Sequence, residues 1–392
     1  MKYKRFTSRY SYFNSVLFLM CRGVIHAAIY SSNSVPLAFK MISGCFFPIF
    51  ALCMTLISAE STTHVSVPYL SDDYINHINS IQNSWTAGRN FDDSPESVKR
   101  IKAMLGELPP SNKISNLSAE LPPPIKTEDP EWPSDDDVPA TFDAREHWKK
   151  WCPRISEIWD QGNCGSCWAV AGTSAVTDRY CISSEGKFQD RMSTQHLFCC
   201  SRCGDGCQGG YSAKTWEFFK KGLVTGGGFD SKEGCQPYEF QPCNHFENNS
   251  PHPKCYNLPV PTATCRKKCT NKGYELPFKK AKRRTKNSYT LKTVKDIQKD
   301  IMTHGPVTMS FVVYEDFLSY KSGVYERMSM EGLGRHAVRV IGWGTERGRP
   351  YWLILNSWNE YWGDNGQVKV LRGSNHCEIE SNVNGGVPRR YK

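Results

Sequence analysis

The sequence predicts an α+β fold in which a helical half precedes a β half. The stretches 167–181 and 212–222 have the composition and spacing of helices. In the second half, Val338–Ile341 and Tyr351–Leu355 are apolar runs of strand length, and turn residues separate them. These two halves are expected to form one domain over residues 138–392, with a cleft between them.

The composition is that of a globular protein. The chain has 392 residues, 39% of them hydrophobic and 12% aromatic, which is enough for a sizeable core and excludes a disordered chain. The net charge is +10, and its strongest cluster is the basic run 279–286. A solvated surface loop is the favoured interpretation of this run over a site for an anionic partner, so no nucleic acid is expected.

The cysteine count predicts an oxidising compartment. There are 17 cysteines, and fourteen of them lie between Cys152 and Cys377. Cys265 and Cys269 could also be zinc ligands, but the cysteines do not form two compact Cys-x-x-Cys knuckles. Disulfides are therefore favoured, and neither a metal nor another cofactor is expected.

Residues 1–59 are predicted to be a signal peptide region. The apolar stretch that begins at Met41 ends in small residues at Ala59, which is typical of a secretory signal. We expect Met41 to be the working start and residues 1–40 to be an upstream extension. A membrane anchor is the disfavoured alternative, because Pro48 interrupts a run shorter than the ~20 residues of a span. The predicted location is lysosomal or extracellular.

Residues 60–137 are expected to precede the main domain as a separate segment. A helix is predicted over 70–88, with Ser71 as its N-cap and Gly88 at its end. Its apolar stripe must dock on another surface, because a single amphipathic helix cannot bury it. Residues 106–137 are rich in proline and acidic side chains, which predicts an exposed linker.

The strongest chemical signal surrounds Cys167. A thiol is a strong nucleophile only as thiolate, and the predicted helix places Cys167 at a helix N-terminus, where negative charge is favoured. His336 and Asn356 follow downstream, and they could serve as a base and as the group that orients it. Both lie further from Cys167 than the about 130–150 residues typical of such enzymes, which indicates an insertion.

The string Cys164-Gly165-Ser166-Cys167-Trp168 resembles the signature of papain-like cysteine proteases. Further stretches resemble cathepsin B in particular: 143–146, 199–200, 203–211, 320–325 and 362–366. The resemblance implies a papain-like two-lobed fold and a catalytic triad of Cys167, His336 and Asn356. It also implies that the segment 60–137 is a propeptide, because residues 85–91 resemble the prosegment that covers the cleft in cathepsin B-type zymogens.

The same resemblance implies roles for further residues. The side chain of Gln161 and the backbone N–H of Cys167 would form the oxyanion hole. Substrate binding would involve four more residues. Gly209 and Gly210 would allow close approach of the substrate backbone, and Trp358 would cover the His336–Asn356 hydrogen bond. Glu380 would lie at the floor of the S2 pocket and accept an arginine side chain of the substrate. The implied partners are peptide and protein substrates, the chain's own propeptide and cystatin-type inhibitors, with no stable membrane anchor.

The resemblance also implies six disulfides. They are Cys152–Cys181, Cys164–Cys207, Cys199–Cys265, Cys200–Cys203, Cys235–Cys269 and Cys243–Cys255. Cys377 would then be a buried free thiol.

The insertion maps to residues 240–265, which resemble the occluding loop of cathepsin B. That loop uses two adjacent histidines to hold a substrate's C-terminal carboxylate. Here His245 is present, with Asp160 as its expected partner, but Phe246 replaces the second histidine and cannot donate a hydrogen bond. Weakened dipeptidyl carboxypeptidase activity is therefore expected. Arg335, beside His336, and Glu378 also replace glycines of the family.

Three functions are compatible with these residues. The first is an active endopeptidase made as a zymogen. The second, suggested by Arg335 and Phe246, is a catalytically impaired homologue that binds peptides or inhibitors. The third is a disulfide exchanger that uses Cys164 and Cys167, which is disfavoured because it leaves His336 and Asn356 without roles.

Overall fold

The computed structural model describes residues 68–109, 122–123, 132–245, 250–258, 260–261 and 264–391. The predicted signal region 1–59 and Phe246 lie outside the described residues. So do Asn116 and Asn248, which begin two Asn-x-Ser sequons that could carry glycans. The described residues belong to one compact unit, Val67–Lys392.

Seven helices and eleven strands are described. The helices are α1 Asp72–Ile81, α2 Pro95–Met104, α3 Ala144–His147, α4 Cys167–Ser183, α5 Thr194–Cys200, α6 Ser212–Lys221 and α7 Val294–His304. The strands are β1 Trp85–Ala87, β2 Phe142–Asp143, β3 Arg191–Met192, β4 Thr225–Gly226, β5 Tyr289–Leu291, β6 Val307–Tyr314, β7 Tyr320–Tyr325, β8 Gly332–Glu346, β9 Arg349–Leu355, β10 Gln367–Leu371 and β11 Val383–Gly385.

The predicted α+β class is confirmed. Helices α4, α5 and α6 form a helical lobe whose core includes Trp168, Trp216 and Phe219. The β lobe is a nine-stranded sheet of order β1-β7-β10-β9-β8-β6-β11-β5, with β2 paired to β8. The pair β7 and β10 is parallel and the other pairs are antiparallel.

Helix α4 is buried over its whole first part, Cys167–Cys181, because it lies between the two lobes. Its Asp178 forms an ion pair with Arg339 of β8 at 2.7 Å, and its Arg179 forms one with Asp300 of α7. Burying a charge is costly unless it is paired and hydrogen-bonded, and both pairs meet that condition. These two ion pairs tie the nucleophile helix to the β lobe.

The segment before the main domain docks on the β lobe differently from the prediction. The helix predicted over 70–88 ends at Ile81, and Trp85–Ala87 is strand β1, paired with β7. The side chain of Gln82 ends the helix, because its Oε1 accepts hydrogen bonds from the N–H groups of Ser84 and Trp85. The predicted cap Ser71 accepts from the N–H of Tyr74 at 3.2 Å.

The linker predicted over 106–137 is not exposed at its start. Gly106 and Glu107 pair with Arg335 and Gly210 of the two lobes, and Glu107 is only 4% exposed. The extended backbone is held by these partners in the cleft, and the proline-rich composition alone could not indicate this. Residues 132–137 are described at the surface, where Asp135 pairs with Lys299.

The described residues form five disulfides, and two of the six implied pairings are wrong. Cys152–Cys181, Cys164–Cys207, Cys235–Cys269 and Cys243–Cys255 are formed. Cys265 bonds to Cys200 instead of Cys199, so neither Cys199–Cys265 nor Cys200–Cys203 exists, and Cys199 and Cys203 are free thiols. Consecutive residues of a helix point about 100° apart, so only one of two adjacent cysteines on α5 can face Cys265. Cys377 is a buried free thiol.

None of the helices that the structure describes combines the length and the apolar character that a membrane crossing needs.

Candidate active site

Cys167 is the first residue of α4 and is fully buried in this structure. The disulfide of Cys164 with Cys207 fixes the chain just before it. The hydroxyl of Ser166 is hydrogen-bonded to the hydroxyl of Tyr238 at 2.7 Å, so the Ser166 side chain does not cap the helix. The thiol therefore lies at the N-terminal end of α4, as the sequence predicted.

His336 lies on β8 and is oriented by Asn356, which follows β9. The imidazole Nε2 and the Asn356 Oδ1 are 2.7 Å apart. The same Oδ1 accepts the N–H of Ser357 at 2.8 Å, which identifies it as the acceptor and Nε2 as the donor. The remaining imidazole nitrogen, Nδ1, is thus the one free to take a proton.

Trp358 covers this pair. Its ring centroid is 4.7 Å from that of His336, and its side chain is fully buried. On its other side, Phe91 of the segment before the main domain packs edge-on at 5.8 Å. Water is excluded from the His336–Asn356 hydrogen bond by these two rings.

Gln161 is also fully buried in the cleft. Its Nε2 donates to the carbonyl of Met104 at 2.9 Å and to that of Cys164 at 2.7 Å. Its Oε1 accepts from the hydroxyl of Ser357 at 2.7 Å, which fixes the orientation of the amide. Ser357 thereby links Gln161 to the His336–Asn356 pair, a role that the sequence analysis missed although the residue lies directly between Asn356 and Trp358.

The segment Leu105–Leu108 runs through the cleft as an extended strap. Gly210 donates its N–H to the carbonyl of Gly106 and accepts the N–H of Leu108, both at 2.8 Å. The bridge of Glu107 with Gly210 is parallel. A Cβ on Gly106 would lie 1.9 Å from the carbonyl oxygen of Gly165, and one on Gly210 would lie 2.5 Å from the ring of Trp168. Close backbone approach at these positions requires glycine.

Burial disfavours the charged forms of the thiol and the imidazole in this structure. Burial raises the pKa of the Cys167 thiol to about 12 and lowers the pKa of His336 to about 4. Nδ1 of His336 has no hydrogen-bond partner among the described residues. Burial in the zymogen thus disfavours the thiolate–imidazolium couple that the sequence predicts for the active enzyme.

Glu380 does not lie in the cleft, which corrects the predicted S2 floor. Its carboxylate accepts hydrogen bonds from the indole N–H of Trp352 and from the backbone N–H groups of Gly373 and Asn375, at 2.6–2.9 Å. These bonds hold it in its own loop. Asn382, two residues further, is the side chain of this segment that reaches the strap.

Arg335 and Glu378, two residues at which this chain departs from the family, pair with each other. The guanidinium of Arg335 lies 2.5 Å from the carboxylate of Glu378. Two residues that replace family glycines are thus a salt bridge, and the charge of Arg335 has a partner other than the imidazole.

The insertion 240–265 buries His245 instead of presenting it. The His245 ring packs 5.7 Å from that of Phe91, and its Nδ1 lies 3.1 Å from the Cys255 sulfur. The expected partner Asp160 accepts instead from the N–H of Gly162 at 2.6 Å. Burial lowers the pKa of His245 to about 3, so the ring is neutral here. Although Cys243, His245 and Cys255 lie close together, the two cysteines form a disulfide and leave no thiolate for a metal ion.

Comparison with protein-family models finds a papain family cysteine protease over residues 138–387 and a peptidase family C1 propeptide over residues 70–111. The cathepsin B-like cysteine proteinase 4 of Caenorhabditis elegans is 40% identical over 328 residues, which cover 82% of this chain and 94% of the relative. A cathepsin B-like cysteine proteinase of Schistosoma japonicum is 39% identical, covering 85% of this chain and 96% of the relative.

Solved structures agree with these sequence matches. Procathepsin B S9 from Trypanosoma congolense superposes with a TM-score of 0.65 at 34% identity, covering 82% of this chain and all of the other. Procathepsin L 3 of Tenebrio molitor, at 19% identity and a TM-score of 0.55, covers 80% of this chain and 87% of its own, and supports the fold alone. The chain belongs to the papain family of cysteine proteases, as a cathepsin B-like cysteine peptidase with its propeptide.

Proposed function

We propose that this chain is the zymogen of a cysteine endopeptidase that hydrolyses peptide bonds through the Cys167 thiolate, with His336 as base and acid. The observation that carries the proposal is the convergence of four side chains under the strap. Cys167 comes from the helical lobe, the hydrogen-bonded pair of His336 and Asn356 comes from the β lobe, and Gln161 holds a peptide carbonyl between them.

Removal of the propeptide would bring water back to the thiol and the imidazole. The desolvation that raises the pKa of Cys167 and lowers that of His336 would then end, and the proton could pass from sulfur to Nδ1. The resulting thiolate at the N-terminus of α4 is favoured by the helix dipole.

The proposed reaction has two steps. The thiolate sulfur forms a bond to the substrate carbonyl carbon, the C–N bond breaks, and His336 gives its proton to the leaving amine. Water then attacks the thioester, gives a proton to His336, and releases the acid with the thiolate restored. The carbonyl of Met104 at Gln161 Nε2 indicates where the negative oxygen of each tetrahedral intermediate would lie.

The direction of the strap supports its role as an inhibitor. Its bridges to Gly210 and Arg335 are both parallel. A substrate would bind in the antiparallel direction, so the peptide bonds of the strap do not face Cys167 in the orientation that cleavage needs. Peptides and proteins are the proposed substrates, and cystatin-type proteins are proposed as further occupants of the open cleft. A lysosomal or extracellular location is proposed on the cysteine content and the predicted signal.

Dipeptidyl carboxypeptidase activity is proposed to be weak. Of the two adjacent histidines that the family uses, only the one at His245 is present, and it lies buried against Phe91 in the zymogen. The loop contacts the β lobe through the rings of His252 and Tyr361, which meet edge-on at 5.9 Å.

The test is covalent labelling of the activated enzyme with an epoxysuccinyl inhibitor, with Cys167→Ala as control. Labelling of the wild type and hydrolysis of internal bonds are expected, and absence of both after propeptide removal would indicate an impaired homologue. A peptide with a free C-terminus and its amide should be cut at similar internal positions. Release of dipeptides from the free acid alone would contradict the weak exopeptidase activity.

A further inference from the structure

The carboxylate of Glu107 lies in a pocket of the peptidase domain. Its two oxygens accept the backbone N–H of Ser212 at 3.0 and 3.3 Å, the hydroxyl of Ser212 at 2.9 Å and the amide of Asn382 at 3.3 Å. Glu107 is 4% exposed. We call the site formed by Ser212, Ser310 and Asn382 the Glu107 pocket.

The donors of this pocket are fixed by their own neighbours. Asn382 Oδ1 accepts from Asn384 at 2.7 Å, and Asn382 Nδ2 donates to the hydroxyl of Ser310 at 2.9 Å, so the NH₂ group faces Glu107. Ser212 is the first residue of α6, whose cap residue Tyr211 makes no side-chain capping bond. The N–H of Ser212 therefore needs an acceptor from outside the helix.

A substrate residue can place its side chain in the same pocket. Glu107 faces Gly210, whose N–H and carbonyl bind the residues on either side of it. A peptide in the opposite direction would use the same two groups of Gly210 from one residue, as an antiparallel pair does. That residue then occupies the position of Glu107, and its side chain points at the same donors.

From this geometry we infer that the Glu107 pocket, in the mature enzyme, selects a substrate residue with the side chain of glutamate or glutamine. The inference rests on the proposed endopeptidase function and names its substrate preference. Glutamine fits because its carbonyl oxygen can accept the same bonds as a carboxylate oxygen. An apolar side chain would leave the Ser212 and Asn382 donors without partners, and an arginine would present donors to donors.

The field around the pocket agrees with this preference. Arg335 attracts the Glu107 carboxylate, but burial outweighs this attraction and raises the pKa of Glu107 to about 8, so the pocket holds a glutamate side chain best as the neutral acid, which resembles glutamine. The pocket lacks the Glu380 carboxylate that the sequence analysis had placed at its floor, since that group is bound in the loop of Gly373 and Asn375. Without an acceptor at its floor, arginine selection has no physical basis here.

The experiment compares kcat/KM of the activated enzyme on four fluorogenic peptides that differ only in the residue at this position, the second before the cleaved bond: Glu, Gln, Leu and Arg. We expect the Glu and Gln peptides to be cleaved about tenfold faster or more than the Leu and Arg peptides. Equal rates, or a preference for Leu or Arg, would overturn the inference.

Two variants and a matched control sharpen the test. Asn382→Asp should reverse the ratio of Glu to Arg cleavage, because an acceptor replaces the donor, and Ser212→Ala should reduce the preference for Glu over Leu. Glu380→Gln should leave both ratios unchanged, because that side chain lies outside the pocket. A ratio that follows Glu380 and ignores Asn382 would contradict the assignment.

Failure of the proposed function would be recognised separately, by the absence of epoxysuccinyl labelling at Cys167. The pocket can then be tested in the intact zymogen. Glu107→Gln should melt close to the wild type, while Glu107→Leu and Glu107→Lys should melt about 2–4 °C lower. A Leu variant as stable as the Gln variant would show that the pocket does not select polar side chains.

Discussion

The two lobes of this protease supply the two members of the proposed catalytic pair, and they are stabilised by different means. The five disulfides found in the described part of the chain all lie in the segment Cys152–Cys269, which builds the helical lobe around Cys167. The β lobe around His336 has one cysteine in its described part, the free thiol Cys377. Its interior is instead a continuous aromatic cluster in which Phe317 contacts Trp358, Trp362 and Tyr325.

The difference has a physical cause. Much of the helical lobe between residues 227 and 285 is loop, which buries little apolar surface, and disulfides reduce the entropy of the unfolded chain instead. The β lobe closes a nine-stranded sheet whose inner face buries large side chains. Covalent restraint thus positions Cys167, and hydrophobic burial positions His336.

The largest expected effect tests whether the two lobes act as one unit in catalysis. Cys167→Ala and His336→Ala should each lower kcat/KM by about 10³-fold or more, and the double variant should be hardly worse, because the pair works as a unit. The measurement is hydrolysis of one fluorogenic peptide by all three variants. Additive losses would mean that the groups act independently.

Loss of a buried ring should destabilise the β lobe. Phe317→Ala removes a fully buried side chain from the aromatic cluster and should cost about 3–5 kcal/mol of unfolding free energy. Urea unfolding of the Cys167→Ala zymogen measures this change. The loss of unfolding free energy should be the same with and without a reducing agent. A loss that depends on the reducing agent would mean that disulfides also stabilise the β lobe.

Loss of a disulfide should destabilise the helical lobe by a smaller amount. Replacing both Cys152 and Cys181 by alanine should cost about 2–4 kcal/mol. The matched control is Cys199→Ala, which removes a cysteine that is not bridged and should have a much smaller effect. If Cys199→Ala is as damaging as the double replacement, the Cys200–Cys265 pairing is wrong.

The carboxyl of Glu107 joins both lobes, through Ser212 of one and Asn382 of the other, and should make their connection depend on pH. Burial raises the pKa of Glu107 from 4.5 to about 8. The folded zymogen then binds a proton that the unfolded chain releases, so this contribution is complete below about pH 4.5 and is lost as the pH rises through 8.

The measurement is the melting temperature of the Cys167→Ala zymogen at pH 5 and pH 8. Relative to Glu107→Gln, which cannot titrate, the chain with Glu107 should lose more stability between these two values. Equal changes would contradict the raised pKa. Because acid strengthens this one contact, any release of the propeptide in acid has to come from other groups.

The smallest expected effect is that of the salt bridge between Arg335 and Glu378. The Glu378 side chain is 57% exposed, so solvent screens the pair and the coupling should be about 0.5–1 kcal/mol. A double-mutant cycle with Arg335→Gln and Glu378→Gln measures it by urea unfolding. A coupling indistinguishable from zero would mean that the two family departures are independent.

Much of the site could be predicted from the sequence because its chemistry lies in short local strings. Cys167 with its helix, His336, and Asn356 followed by Trp358 were all recognisable in this way, and the structure brings them into one cleft. Likewise, the strands β8 and β9 were visible as apolar runs. Local sequence was misleading where a partner distant in the chain decides the outcome, as at Trp85, which leaves the predicted helix because β7 offers it a strand partner.

By itself, the sequence determined the fold class and singled out Cys167, His336 and Asn356 as candidates for the catalytic group, because both depend on residue types at short range. The propeptide was indicated by the resemblance of a short string to the family. Only the tertiary structure decided that Cys200 and not Cys199 bonds to Cys265, that Asn382 and not Glu380 reaches the cleft, and that Glu107 lies between the lobes. Each of these depends on the direction of a side chain where two segments distant in the chain pack together. The sequence alone does not distinguish neighbouring residues of similar chemistry, because that direction is set by the packing.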